Sequence, residues 1–240
     1  MNRSHINNAT QNHEVVVKAP RVVEIVGPAG AGKTTLYHAL SHCSKIIRPG
    51  NFPDVREISA ASFFIRNGLQ MLPTLLRLPR HNSRKLTQRE FAWLSILNGW
   101  PGVLHKESRN NAVIILDQGP VYLLTETREF GPEYLRRQET ESLWQDLYSR
   151  WAGSLDMIVW LDAADIDLAK RIRSREKEHV IKNGSIETTF EFLVCYRNAY
   201  KRTISSLSAN HPGLRILRFD TSQKSPEEIA DRLLLEFGLI

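Results

Sequence analysis

The chain has 240 residues, 42% of them hydrophobic, with 32 Lys and Arg against 26 Asp and Glu and a formal charge of +6. That is the size of one large domain, with apolar content enough for a core without disulfides, and Cys43 and Cys195 lack any metal-ligand spacing, so both read as thiols in a reducing compartment. No apolar run approaches the roughly 20 residues of a membrane span, the polar start lacks a secretory signal, and the basic residues are scattered among acidic ones without interleaved aromatics. A cytoplasmic protein with no transmembrane segment and no nucleic-acid partner is therefore expected.

Residues 1–18 are rich in Asn, His and Gln, with little to bury, and read as a disordered N-terminal tail. Residues 19–240 read as one domain. "RVVEIV" (21–26) is a short β-branched run, and "KTTLYHALSH" (33–42) has helical spacing. Between them "GPAGAGKTT" satisfies GxxxxGK[ST]: Gly27, Pro28, Ala29, Gly30, Ala31, Gly32, Lys33, Thr34 and Thr35 form a loop whose backbone N–H groups wrap a polyphosphate. Lys33 would reach the outer phosphates, and the Thr34 hydroxyl would bind magnesium. The strand, loop and helix context is the confirmation such a motif requires.

"KII" (45–47) is a second short strand. Two long helical stretches follow, 54–80 and 86–108, together an insertion on the acceptor side, the first interrupted by Pro73 and Pro79. The apolar residues of 54–80, with Arg66, Arg77 and Arg80 among them, suit either a helix covering a pocket or one that meets a partner or an interface. Three further apolar runs each end in Asp: "NAVIILD" (111–117), "DMIVWLD" (156–162) and "GLRILRFD" (213–220). Near-continuous apolar strands alternating with helices indicate an α/β fold with a parallel sheet covered on both faces. Ligands then sit beyond the carboxyl ends of the strands, where the loop, Asp117, Asp162 and Asp220 emerge. For Asp220, beside "TSQKSPEE", ending the strand and capping a turn is the favoured role.

Phosphoryl transfer needs a phosphate cradle, magnesium, a carboxylate near the acceptor and cations over the moving group. Asp117 is the candidate carboxylate, as base for the acceptor hydroxyl or as partner of magnesium. The cations lie in "LAKRIRSREKEH" (168–179), where Arg171 and Arg175, four apart, would share one helical face while Arg173 projects elsewhere. Together with Lys33 and Asp117 they are the candidate catalytic residues, and Thr34 and Asp117 the candidate metal ligands.

In this order "GPAGAGKTT", "IILDQGP", "VWLDAADIDLAKRIRSRE", "FLVCYRNAY" and "LRFDTSQKSPEEIADRL" resemble the thymidylate kinase and deoxynucleoside kinase group of P-loop kinases, from about residue 21 to the C-terminus. The resemblance implies a P-loop NTPase fold, three layers α/β/α around a five-stranded parallel sheet, an Arg-rich lid at about 169–188, ATP and Mg2+ as cofactors, and a homodimer. Two positions depart from the group's pattern. Its acidic-Arg pair is here Asp117 then Gln118, and Asn98 stands where thymidylate kinases carry an acceptor-binding Arg. The implied function is an ATP-dependent kinase for a small-molecule acceptor (nucleoside, nucleotide or sugar-like), and a site short of cations suits an acceptor without a phosphate. Arg48, Asp54, Asn98 and Gln118 are the candidate acceptor contacts. The rival expectations are a nucleotide-dependent switch, which lacks any NKxD guanine motif here, and a degenerate kinase that binds ATP and acts through a partner.

Overall fold

Five short strands stand side by side in the order β2-β3-β1-β4-β5, every adjacent pair parallel. The computed structural model describes residues 21–50, 58–77, 83–107, 112–175 and 179–240; the 1–18 segment, Asp54, Arg56 and Arg80 lie outside the described residues. In chain order the elements are β1 (Val22–Val26), α1 (Lys33–Cys43), β2 (Ile47–Pro49), α2 (Ile58–Arg77), α3 (Gln88–Glu107), β3 (Val113–Asp117), α4 (Pro120–Glu129), α5 (Glu141–Ala152), β4 (Met157–Asp162), α6 (Asp165–Ser174), α7 (Ile186–Asn210), β5 (Arg215–Asp220) and α8 (Pro226–Glu236). Two 3-10 turns, Glu133–Arg136 and Gln138–Thr140, lead into α5.

The strands read as continuous apolar runs because both faces of the sheet are covered. Alternate residues point opposite ways. Val22, Val26, Ile114, Leu116, Ile158 and Trp160 pack with the buried side chains of α2, α3, α4, α5 and the second half of α7. Val23, Ile25, Val113, Ile115, Met157, Val159 and Leu161 pack with those of α1, α6 and α8 on the other face. The result is three layers, helix, sheet and helix, as expected for an α/β chain. The first helical layer is fastened by indole donors: Trp144 Nε1 donates to the Leu135 carbonyl at 2.6 Å and Trp151 Nε1 to the Leu97 carbonyl at 2.9 Å.

Local signals explain where several helices begin. Ser225 accepts from the Glu228 N–H while Glu228 accepts from the Ser225 N–H, a capping box that, with Pro226 in the first turn, starts α8. Asp220 takes the role favoured for it, accepting from the Ser222 N–H at 2.8 Å to turn the chain after β5. Pro73, expected to interrupt its stretch, does not: α2 runs through it, with Pro73 on the exposed side, where water can take the carbonyl bond its missing N–H leaves open. Cys43 and Cys195 are free and exposed. Among the described residues no helix is long and apolar enough to cross a membrane.

One residue breaks the apolar run of β1. Glu24 is fully buried, pointing to the face that carries α4, and its carboxylate accepts the N–H of Val121 at 2.7 Å and of Tyr122 at 3.0 Å. Those are first-turn donors of α4 with no partner inside the helix, so the carboxylate caps the helix from the neighbouring strand. Gly119 leaves room for it, because a Cβ there would come within 2.8 Å of the Glu24 carboxyl carbon. Burial pushes the Glu24 pKa up to about 8, with the bonds from Val121 and Tyr122 pulling the other way and the Asp117 charge adding to the rise.

A carboxyl whose pKa rises on folding binds its proton more tightly in the folded state, so its contribution is greatest at low pH and falls as pH climbs from the ordinary carboxyl value toward about 8. Relative to Glu24→Gln, the wild type should therefore lose stability between about pH 4.5 and about pH 8. Urea unfolding of both proteins across that range is the check, and a pH-independent difference would show that Glu24 titrates as an ordinary carboxyl.

Candidate active site

The carboxyl ends of β1, β3 and β4 open onto a cavity of about 810 Å3, walled by the 27–36 loop and helix start, Asp117, Gln118 and side chains of α4, α6 and α7. Gly27 has φ 150°, and a Cβ there would lie 2.1 Å from the Leu161 carbonyl oxygen at the end of β4, so only glycine lets the loop leave β1 this close to its neighbour. Gly30 and Gly32 also have positive φ, which curls the loop so that α1 starts at Lys33 facing the cavity. The α1 N-terminus has no capping side chain and no acidic residue in its first turn. An uncapped helix start behind a glycine-rich loop is a ready anion site.

Lys33 folds back over this loop, donating to the Gly27 carbonyl at 2.7 Å and the Pro28 carbonyl at 3.0 Å. Burial lowers its pKa to about 8, Asp117 opposes that and Arg175 adds to it. Thr34, one residue on, donates its hydroxyl to Asp117 Oδ2 at 3.1 Å. Hydroxyl and carboxylate oxygens side by side are the hard donors that Mg2+ takes, and a metal held by these two would keep its other positions for phosphate oxygens and water. The donor set therefore fits magnesium, and the loop and uncapped helix start fit a polyphosphate.

The two candidate arginines reach the cavity by different routes. Arg171, on α6, lines it while donating to the Thr221 hydroxyl at 2.8 Å and the Thr221 carbonyl at 2.9 Å, which ties α6 to the turn after β5. Arg175 also lines it, but the shared helical face expected from the four-residue spacing is corrected: α6 ends at Ser174, and Arg175 is extended at φ −73°, ψ 146°. Ser174 Oγ donates to the Arg171 carbonyl at 3.2 Å, occupying the acceptor that the Arg175 N–H would use in a continuing helix. Arg173 projects away, donating to the Gly184 carbonyl at 3.2 Å.

Among the acceptor candidates, Gln118 lines the cavity with φ 65°, the one non-glycine residue with positive φ among the described residues. Such a backbone outlier directly after Asp117 is held by the turn into α4. Asn98 is elsewhere: its amide donates to Gln70 Oε1 at 3.0 Å and its oxygen accepts from Arg150, so it joins α2, α3 and α5 and is not on the cavity wall. Arg48 is exposed on the edge strand β2 and is likewise off the wall. Both Asp162 oxygens share the single Nε–H of Arg197, at 3.0 and 2.9 Å, and Arg197 also binds Asp165 and the Ala163 carbonyl, bracing the turn from β4 to α6.

The part of the wall made by α4 and α7 holds Tyr122 and Glu126, which the motif reading passed over, and Phe192, Tyr196 and Tyr200, which it quoted within "FLVCYRNAY" without giving them a role. Their signal was present. Tyr122 and Glu126 are four apart, as are Phe192, Tyr196 and Tyr200, so each set shares one helical face. Tyr196 Oη donates to Glu126 Oε1 at 2.9 Å. Burial raises the pKa of both groups, and the Glu126 charge raises that of Tyr196 further, so the phenol stays protonated. His179, its ring edge-on to Phe192 with centroids 5.5 Å apart, and Thr221 and Lys224 also line the cavity.

Removing Arg197 would leave Asp162 and Asp165 facing each other without their cation. Arg197→Ala should cost about 1–3 kcal/mol in urea unfolding, the range for a partly shielded pair broken on one side. A loss below about 0.5 kcal/mol would show that solvent screens the cluster.

No family model matches the sequence, and no curated protein matches it. Among solved structures, thymidylate kinase from Candida albicans aligns over 90% of both chains at 15% identity and a TM-score of 0.52. The YorR protein of Bacillus subtilis, solved with phosphorylated GDP, aligns over 91% of this chain and 96% of its own at 15% identity and 0.49. Deoxyadenosine kinase from M. mycoides, solved with bound dATP, aligns over 89% and 99% at 16% identity and 0.47. The thymidylate kinase alignment, with the five-stranded parallel sheet, shows that this chain has the fold of the P-loop nucleotide kinases.

Proposed function

We propose that the protein is an ATP- and Mg2+-dependent kinase that moves the γ-phosphate of ATP to a small-molecule acceptor. The observation that carries this reading is the Thr34–Asp117 pair at the mouth of the glycine-rich loop, beside Lys33 and in the same cavity as Arg171 and Arg175. The loop N–H groups and the α1 N-terminus would hold the β- and γ-phosphates. Lys33 would exchange the Gly27 and Pro28 carbonyls for phosphate oxygens, whose negative charge favours its ammonium form. Arg171 and Arg175, from the proposed 169–188 lid, would neutralise charge as it moves toward the leaving oxygen. Magnesium, when bound at Thr34 and Asp117, supplies charge neutralisation across the β- and γ-phosphates.

Asp117 faces both partners of the reaction. As the acceptor oxygen bonds to the γ-phosphorus and the bond to the β,γ-bridging oxygen breaks, Asp117 takes the hydroxyl proton, and ADP leaves with the electron pair of the broken bond. Gln118, at the mouth of the acceptor end, orients the acceptor rather than neutralising it.

Lys33→Ala should lower transfer at least a hundredfold, while Asp117→Asn should leave ATP affinity within a few-fold and suppress turnover by a similar factor. Calorimetric titration with ATP and Mg2+, paired with ADP release in the presence of candidate acceptors, measures both. Full turnover in Lys33→Ala, or acceptors that never stimulate ADP release above slow hydrolysis, would rule the kinase reading out.

A further inference from the structure

Helix α2 has two apolar faces, and the core uses one of them. Met71 and Leu75 are buried in the same cluster as Leu94 and Leu97 of α3, and a Cβ at Gly68 would lie 2.6 Å from the Phe91 ring, so α2 and α3 meet closely on that side. Ile65, Leu69, Leu72 and Leu76 point the other way and are 63%, 60%, 36% and 61% exposed. At about 100° per residue the four fall within about 60° of arc, one straight stripe along about three turns of helix. Exposed apolar residues scattered singly are ordinary, whereas four in register on one helix mark a contact surface.

The stripe is edged with positive charge. Arg66 and Arg77, both exposed, lie about a quarter turn round the helix on one flank. On the other flank the stripe runs into a groove of about 380 Å3 walled by Leu72, Leu75, Leu86 and Phe91, with the exposed Lys85 among its lining residues. α2 carries no acidic residue, and among the described residues none lines the groove. Glu90 of the adjoining α3 is turned inward, where Arg84 and Thr87 donate to it. Arg and Lys side chains lay their stems along apolar surface and hold their charge at its edge. An apolar stripe with cations on both flanks complements a surface that is apolar inside and anionic at its boundary.

Two occupants can be compared. A second copy of this chain, docked α2 to α2 about a two-fold axis, would bring Arg66 and Arg77 of both copies to the same edge, with no carboxylate on either helix to pair them. A bilayer containing anionic lipid meets both features at once, its acyl region taking the stripe and its phosphates the cations. We propose that the outward face of α2 is a membrane-surface site, through which the protein rests on anionic bilayers with this helix in the plane of the interface. Among the described residues no helix is long and apolar enough to cross a membrane, so α2 lies on the bilayer and does not span it. None of the four stripe residues lines the cavity at the strand ends, so this site is separate from the phosphate loop and does not depend on the kinase reading.

The test is flotation of the full-length protein with vesicles, titrated in lipid. One set is phosphatidylcholine alone, and in the other a quarter of the lipid is phosphatidylglycerol. The protein should bind the anionic vesicles at least tenfold tighter than the neutral ones, and added salt should weaken that binding. Leu69→Ser with Leu76→Ser should lower it at least tenfold, and Arg66→Gln with Arg77→Gln by about fivefold for each cation removed. All four positions are exposed, so the melting temperature and far-UV circular dichroism of both variants should match wild type, which separates lost binding from lost fold. The comparison of the two vesicle sets uses wild type alone and stands whatever the variants do. No binding to either set, equal binding to both, or binding that neither pair of substitutions alters would overturn the proposal. So would sedimentation that shows a dimer made monomeric by Leu69→Ser with Leu76→Ser, because a second copy would then hold the stripe.

Discussion

The contact on which the site depends is the one between Glu24 and the first turn of α4. A carboxyl in the middle of a strand buried on both faces carries a large desolvation cost as an anion, which pushes its pKa up to about 8, and the open N–H groups of a helix start offset part of that cost. That single carboxylate joins the strand that delivers the phosphate loop to the helix that follows Asp117. It fixes where α4 begins, and with it the Asp117–Gln118–Gly119 turn. Gln118 can then keep a left-handed backbone, since a turn bonded at its far end has no freedom to relax.

From this clamp the cavity has two walls of different character. The loop wall is made by backbone conformation: Gly27 against Leu161, an uncapped α1, and Lys33 drawn onto loop carbonyls that give it a temporary partner. The opposite wall is made by side chains spaced by four on α4 and α7, acidic and aromatic instead of basic. Lys33, Arg171 and Arg175 are thereby gathered at the end where a triphosphate would lie, and Asp117 stands between the two environments. On the proposed kinase reading, that difference in charge sets the donor end of the cavity apart from the acceptor end.

How much of this was legible in the sequence varies by element for physical reasons. The three central strands were readable because a parallel sheet covered on both faces demands near-continuous apolar runs, and "VVEIV", "VIILD" and "MIVWLD" supply them, whereas the edge strand β2 (Ile47–Pro49) meets the expected "KII" (45–47) only at Ile47. The loop was readable because its glycines answer a local backbone need. Arg175 was misplaced because helix termination by a Ser174 hydroxyl competes on nearly equal terms with one more helical residue, and spacing alone cannot weigh the two. Asn98 and Arg48 were nominated by position along a family pattern, whereas their neighbours are set by how α2, α3 and the edge strand pack. Glu126 and Tyr196 show the remaining limit: each has a readable helical face, but the bond between them spans 70 residues and exists only once α4 and α7 are packed. Glu24, inside the run "RVVEIV" that was read only as a strand, has partners that no local rule reveals, since none links residue 24 to residue 121.

The proposal to test is that a phosphate bound by this loop would pass to an organic hydroxyl. The direct measurement is the fate of the label when the protein is incubated with ATP radiolabelled in the γ-phosphate, Mg2+ and a mixture of unphosphorylated sugars and nucleosides. The account predicts that label leaves ATP and appears in an acid-stable organic phosphate ester, in step with ADP. Label recovered only as inorganic phosphate, or retained in ATP throughout, would contradict it.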